Sequence, residues 1–281
     1  MILRRNQLPH TAADIGCFLL MFTFVPITFV FELVIVLPEF HGRGSIFYNF
    51  TWIAGIFLVF NIKGNMIACM LVDTSIKTMM LQPPSDVAAR KLWRYCSDCE
   101  VLAPPRSWHC QTCGTCILRR DHHCFFTGCC VGHRNYRYFL FFVVYIFIGS
   151  AYTTVYNSMY FWWLHGDKFF SALTCLKMIF PMLMFTVDTS WSNFHLLIYE
   201  LNVIAFAYSI VLILYHTPRL LRGNVAYEGR STKYDLGWRR NLEMVLGHRM
   251  WWVALSPFVK SGLPHDGVHW EDVILQSAKN L

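Results

Sequence analysis

Between residues 96 and 139 the chain reads CSDCEVLAPPRSWHCQTCGTCILRRDHHCFFTGCCVGHRNYRYF, and eight of its eleven cysteines and four of its twelve histidines lie there. Cys96 and Cys99 form a Cys-x2-Cys pair, His109 and Cys110 follow, and Cys113 and Cys116 continue at three-residue steps. Asp121, His122, His123, Cys124, Cys129 and Cys130 come next, and His133 is the remaining histidine. Two-residue gaps let successive thiolates turn back onto one ion, so this spacing reads as tetrahedral zinc sites. One zinc takes four ligands, and thirteen candidate side chains imply two zincs with groups left over. A disulfide cluster would need an oxidising compartment, but the segment is rich in Arg and lies between long apolar runs, which points to a cytosolic face. A purely structural zinc module leaves the string Asp121-His122-His123-Cys124 without a purpose. That string sets a carboxylate, two imidazoles and a thiol side by side, and a thiol of free pKa about 8.5 needs a neighbouring base to act as a nucleophile. Consecutive side chains cannot all point one way on a helix or a flat strand, so an irregular loop is expected here.

These residues resemble the cysteine-rich domain of the DHHC family of membrane protein S-acyltransferases, the palmitoyltransferases. The family pattern Cys-x2-Cys-x9-His-Cys-x2-Cys-x2-Cys-x4-Asp-His-His-Cys-x5-Cys-x4-Asn-x3-Phe is met at every step, ending with Cys130, Asn135 and Phe139. The resemblance implies one zinc held by Cys96, Cys99, His109 and Cys116, and a second, interleaved, held by Cys110, Cys113, His123 and Cys130. It leaves Asp121, His122 and Cys124 free of metal: Cys124 as nucleophile, His122 as general base, Asp121 orienting the imidazole. Both zincs are then structural, and long-chain acyl-coenzyme A is the implied co-substrate. Phe125 and Phe126 stand where the family has Pro-Trp, and are expected at the mouth of a lipid pocket. Arg119, Arg120, Arg134 and Arg137, with Arg239 or Arg240, are candidate partners for the phosphates of coenzyme A. Cys129 is left over, either an accessory acylation site or a packing residue, and a surface or packing role is expected for His133.

The elements that must position this chemistry are membrane helices. Of the 281 residues 55% are hydrophobic and 15% charged, against about 25% charged in soluble domains. The net charge of +7 suits an acidic membrane surface and anionic ligands, and no basic stripe points to nucleic acid. Apolar runs at 16–37, 51–72, 140–164 and 194–216 each have the length of a span. The run at 172–187 is short and contains Pro181 and Lys177, which suits a re-entrant or surface-lying helix. Residues 73–137 and 217–281 carry nine Lys or Arg each, against one and two in the intervening loops, so four spans place both basic segments in the cytosol. The expected fold is therefore an all-α polytopic membrane protein of four transmembrane helices, with a cytosolic two-zinc domain between helices 2 and 3. Its parts are residues 1–75 with helices 1 and 2, the zinc domain 76–139, helices 3 and 4 within 140–216, and a cytosolic C-terminal region 217–281. Both termini are expected in the cytosol, in an endomembrane (ER or Golgi) or the plasma membrane.

Two family signatures are altered. Asp73-Thr74-Ser75 stands for Asp-Pro-Gly after the second span, and Val225-Ala226-Tyr227-Glu228 for Thr-Thr-x-Glu after the last. Asn241 matches the asparagine of the family's C-terminal block and reads as a buried hydrogen-bonding strut. Residues 250–259 (MWWVALSPFV) suggest a helix lying at the bilayer interface. His265, His269, Glu271 and Asp272 have the residue types of a metal cluster, but no spacing enforces one, and they read as a solvated tail. The resemblance implies transfer of a long-chain acyl group, such as palmitoyl, from acyl-coenzyme A to cysteines of membrane-proximal proteins through an acyl-enzyme on Cys124. A catalytically weak zinc-containing adaptor is the alternative, supported by the altered residues 125, 126, 225 and 226.

Overall fold

The computed structural model describes every residue except 1, 5–8, 78, 188–189, 230 and 281. Four helices are long and apolar enough to cross a membrane: α1 (Ala12–Phe40), α2 (Ile46–Leu71), α3 (Tyr136–Leu164) and α6 (Trp191–Leu221). Each runs 26 to 31 residues, where about 20 suffice for the hydrocarbon core. The chain is a multi-pass membrane protein. Pro26 is carried inside α1, and the helix widens to π-helical turns at Glu32–Val36, a feature repeated in α3 at Met159–Leu164. Asn61 and Asn65 on α2 are buried, as polar residues at membrane depth require.

The run at 172–187 does not make a span. It forms α4 (Ala172–Ile179) and α5 (Leu183–Thr186), separated at Phe180-Pro181 because proline disfavours helix at the residue before it. Ser171 caps α4 through the Thr174 amide, and the buried Lys177 ammonium donates to Asn193 Oδ1 at 2.9 Å.

Backbone proximity divides the chain into two compact units. One comprises Phe22–Ile62 and Val143–Ile213, and its core joins Phe31, Val36, Phe161, Met184, Leu196 and Tyr199. The other gathers Met1–Met21, Lys63–Phe142 and Leu214–Leu281, and contains the cysteine-rich segment. Within it the helical fold is joined by three antiparallel hairpins: β1 (Arg94–Cys96) with β2 (Val101–Ala103), β3 (Trp108–Cys110) with β4 (Thr115–Ile117), and β5 (His122–Cys124) with β6 (Cys129–Val131). Strands of three residues do not hold together alone in water, so the hairpins need side-chain clasps.

The C-terminal region supplies part of the packing, and two expectations change there. Residues 250–259 form a single 3₁₀ turn, Trp252–Ala254, because Ser256-Pro257 stops a helix; Trp251, Trp252 and Phe258 are exposed. Residues 265–280 are not a solvated tail. They end in α7 (Glu271–Asn280) behind Trp270, which is fully buried and donates its indole N–H to Gly267 O at 3.1 Å. His133 packs edge-on against Trp270 and contacts His265 O, the packing role expected of it. Among the described residues, His265, His269, Glu271 and Asp272 form no metal-type cluster.

Candidate active site

The period of a strand explains how one segment serves two clusters. Successive side chains on β3 point to opposite faces, so His109 and Cys110 diverge. His109 sits opposite Cys116 across the hairpin and joins Cys96 and Cys99. Cys110 joins Cys113, His123 and Cys130. In the first cluster His109 Nδ1 lies 3.6 Å from Cys96 Sγ and 3.3 Å from Cys99 Sγ. In the second, His123 Nδ1 lies 3.7, 3.4 and 3.8 Å from Cys110, Cys113 and Cys130 Sγ. Tetrahedral zinc with its usual bond lengths sets nitrogen and sulfur ligands about 3.6 Å apart, so both donor sets fit that ion. The two clusters comprise the same two sets of four residues that the family resemblance implies.

His122, His123 and Cys124 lie on a strand, not on the irregular loop that the sequence suggested. Alternation resolves the crowding: His123 faces Cys130 and the second cluster, while His122 and Cys124 project from the opposite face. The His122 imidazole places Nδ1 2.7 Å from Asp121 Oδ2. Asp121 is fully buried, His122 keeps a side-chain exposure of 30%, and Cys124 is buried. Burial opposes charge on His122, but Asp121 and Cys124 outweigh it and raise the imidazole to about 9. Burial would likewise raise Asp121, yet the hydrogen bond from His122 holds it below the usual carboxylate range. The carboxylate behind the ring makes His122 a stronger base than a free imidazole.

One part of this centre lies outside the motif, and one motif residue has a contact that its spacing did not announce. His216, near the end of α6, sets Nδ1 3.6 Å from the same Asp121 oxygen and shares a 3.2 Å hydrogen bond with the Tyr136 hydroxyl. The cue in the sequence was a histidine inside an apolar run. Phe139, the last residue of the pattern, presents its ring to both imidazoles, with centroids 4.8 Å from His122 and 5.0 Å from His216.

The altered signature after α6 also reaches this site. The Ala226 amide donates to Asp121 Oδ1 at 2.9 Å, a contact that needs no side-chain hydroxyl. Glu228 accepts from the Val225 amide at 3.0 Å and takes both arms of Arg106 at 2.6 Å each. Arg106 is held at φ +65° with its side chain 2% exposed, and donates further to Gly223 O. Asn241 acts as a strut, donating to Leu221 O and Asp235 Oδ1 and accepting from the Leu236 amide. Asn135 does the same for the β5–β6 hairpin by donating to Cys130 O and Cys69 O.

The remaining candidates are placed as follows. Arg134 donates to Asp73 O and Met79 Sδ, and Arg137 to Ser261 O and Val259 O, so both guanidinium groups clasp the protein's own backbone. Arg119 and Arg120 are buried. Phe125 is 52% exposed beside the site, and Phe126 is half-buried. Cys129 lies opposite Cys124 in the hairpin but is buried, with its thiol donating to Cys69 O at 3.5 Å, which favours packing.

Known proteins share this pattern. A family model described as DHHC palmitoyltransferase matches residues 89–233, half of the chain. The probable palmitoyltransferase ZDHHC24 of Danio rerio is 36% identical over 183 residues, covering 64% of this chain and 62% of that protein. Its Homo sapiens namesake is 35% identical over 230 residues, 76% of each chain, and the Mus musculus one 34% identical over 226 residues, 75% of this chain and 74% of that protein. With the motif complete, the hairpins in place and these relatives aligned across most of its length, the chain belongs to the DHHC palmitoyltransferase family.

Proposed function

We propose that the chain is a protein S-acyltransferase that moves a long-chain acyl group from acyl-coenzyme A to cysteine thiols of membrane-proximal proteins, through a thioester on Cys124. The observation that carries this reading is the shared strand face of His122 and Cys124, with Asp121 2.7 Å behind the imidazole. The Cys124 proton passes to His122, and the thiolate attacks the thioester carbonyl. The carbon–sulfur bond to coenzyme A breaks, and its thiolate takes the proton back from His122 to leave as the free thiol. In the second half His122 accepts the proton of an acceptor cysteine, whose sulfur attacks the acyl-enzyme and releases Cys124 as thiolate. Asp121 holds the imidazole by Nδ1 throughout, which leaves the other ring nitrogen for sulfur.

Cys96, Cys99, His109 and Cys116 would hold one zinc, and Cys110, Cys113, His123 and Cys130 the other. Zinc would supply stiffness, since all four positions around each ion are filled by protein. Phe125, exposed next to Cys124, suits contact with the acyl chain, and each buried methylene contributes about 0.8 kcal/mol. The charge distribution supports a cytosolic zinc domain and cytosolic termini. The adaptor alternative loses ground, because the Ala226 amide contacts Asp121 despite the missing threonines.

Labelled acyl-coenzyme A should give an adduct on the purified chain that neutral hydroxylamine removes. Cys124→Ser should abolish the adduct while zinc content stays at the wild-type level, and Cys129→Ser should keep it. Label that survives in Cys124→Ser but vanishes in Cys129→Ser would assign the nucleophile to Cys129.

A further inference from the structure

Asp14 is a carboxylate with no solvent exposure, in the first turn of α1. Half of its role is ordinary. Thr11 Oγ1 accepts from the Asp14 amide and Asp14 Oδ2 accepts from the Thr11 amide, each at 3.1 Å, a reciprocal cap of the helix start. That cap uses one carboxylate oxygen. The other, Oδ1, lies 3.1 Å from His123 Nε2. Because Nδ1 of the same ring faces Cys110, Cys113 and Cys130, Nε2 carries the proton and donates it to Asp14.

We infer that Asp14 is a positioning residue of the second zinc site: it fixes the tautomer and ring orientation of His123, and through β5 the placement of His122 and Cys124. The inference rests on the two-zinc reading above. Ligating histidines need a partner for the second ring nitrogen, and losing that partner weakens metal binding by about 10–100-fold. Here the partner is 109 residues away in sequence, on a helix that begins a membrane span. The first cluster is built differently. His109 Nε2 has Asp98 at 3.7 Å, a carboxylate from its own knuckle with a side-chain exposure of 52%. Water competes for that contact, so the two sites should differ in their dependence on a carboxylate.

The test uses the full chain in detergent, with Asp14→Asn, Asp14→Glu, Thr11→Val and Asp98→Asn. Zinc release to a chromogenic chelator and the absorption bands of the cobalt-substituted chain are read beside the kcat and KM of acyl-enzyme formation. Asp14→Asn should speed release of one zinc by about 10–100-fold, shift the cobalt bands, and lower kcat at unchanged KM. Asp14→Glu, which keeps the charge, should recover part of each. Thr11→Val, which breaks the cap and spares the carboxylate, and Asp98→Asn should release zinc at near wild-type rates. A wild-type chain with two zincs whose release and cobalt spectrum ignore Asp14→Asn would overturn the inference alone. So would Thr11→Val matching Asp14→Asn, since capping would then be the whole effect. A wild-type chain with fewer than two zincs would overturn the zinc assignment and this inference with it.

Discussion

Glu228→Ala should separate folding energy from active-site alignment. The pair it breaks is well enclosed, with side chains 2% and 11% exposed for Arg106 and Glu228, and both bonds at 2.6 Å. The rings of Tyr234 and Trp270 lie 4.1 and 4.3 Å from the guanidinium carbon, so water cannot readily replace the lost carboxylate. Removing one partner of a buried pair costs about 3–5 kcal/mol, which corresponds to a fall in melting temperature of roughly 6–20 °C for a domain of this size. Glu228 also accepts from the Val225 amide, next to the Ala226 amide that bonds Asp121. A hydrogen bond to a charged group is worth about 1.5–3 kcal/mol. If half of that is lost from the placement of His122, acyl-enzyme formation slows roughly 4–13-fold. Thermal unfolding in detergent reads the first effect and hydroxylamine-sensitive label the second. Arg106→Met with Glu228→Met should recover much of the melting temperature, because no orphan charge remains, yet stay slow. A double variant that melts at the sum of the two single losses would refute the orphan-charge argument. Glu228→Ala at the wild-type rate would refute the link to Asp121.

Metal content and topology give two further expectations. Cys113→Ala should remove one of two zincs and lower the yield of folded protein, whereas Cys129→Ala should keep both; elemental analysis per chain decides it, and wild-type stability in Cys113→Ala would contradict the ligand assignment. Tags beside residues 90 and 270 should meet protease on the same, outer side of sealed microsomes, and protection of one with exposure of the other would exclude four spans.

Much of the site could be read in the chain because metal ligation is written in local spacing. The eight cysteines and histidines of the two clusters stand within 35 residues of one another, so their presence is plain in the chain, and their division into two sets is what the resemblance to the DHHC family implied. The four long helices were equally legible, since a bilayer imposes a length and a composition on any segment that crosses it. What was missed came from far along the chain. His216 is on a span more than 90 residues from Asp121, Asp14 reaches His123 from the start of α1, and no period in the sequence connects them. The C-terminal residues were misjudged for a similar reason. Trp270 is surrounded by His133, Arg106 and Tyr234, and its burial depends on partners that the local sequence does not name.

The expected loop at His122–Cys124 is the most instructive difference. A loop was inferred because adjacent residues on a strand point opposite ways, and that divergence is what the site uses. With a period of two, His123, which faces the second cluster, must turn its back on His122 and Cys124, so a zinc held by that cluster would pin the hairpin without touching Cys124. The same rule constrains the partner strand. Cys130 stands opposite His123 and joins the second cluster, while Cys129 stands opposite Cys124 and is packed against Cys69. A slip of one residue between β5 and β6 would send Cys130 to the reacting face and break the second cluster at once. Correct register and an intact second cluster therefore require each other, and Asn135, bonded to Cys130 O and to Cys69 O, fixes that register from outside the hairpin.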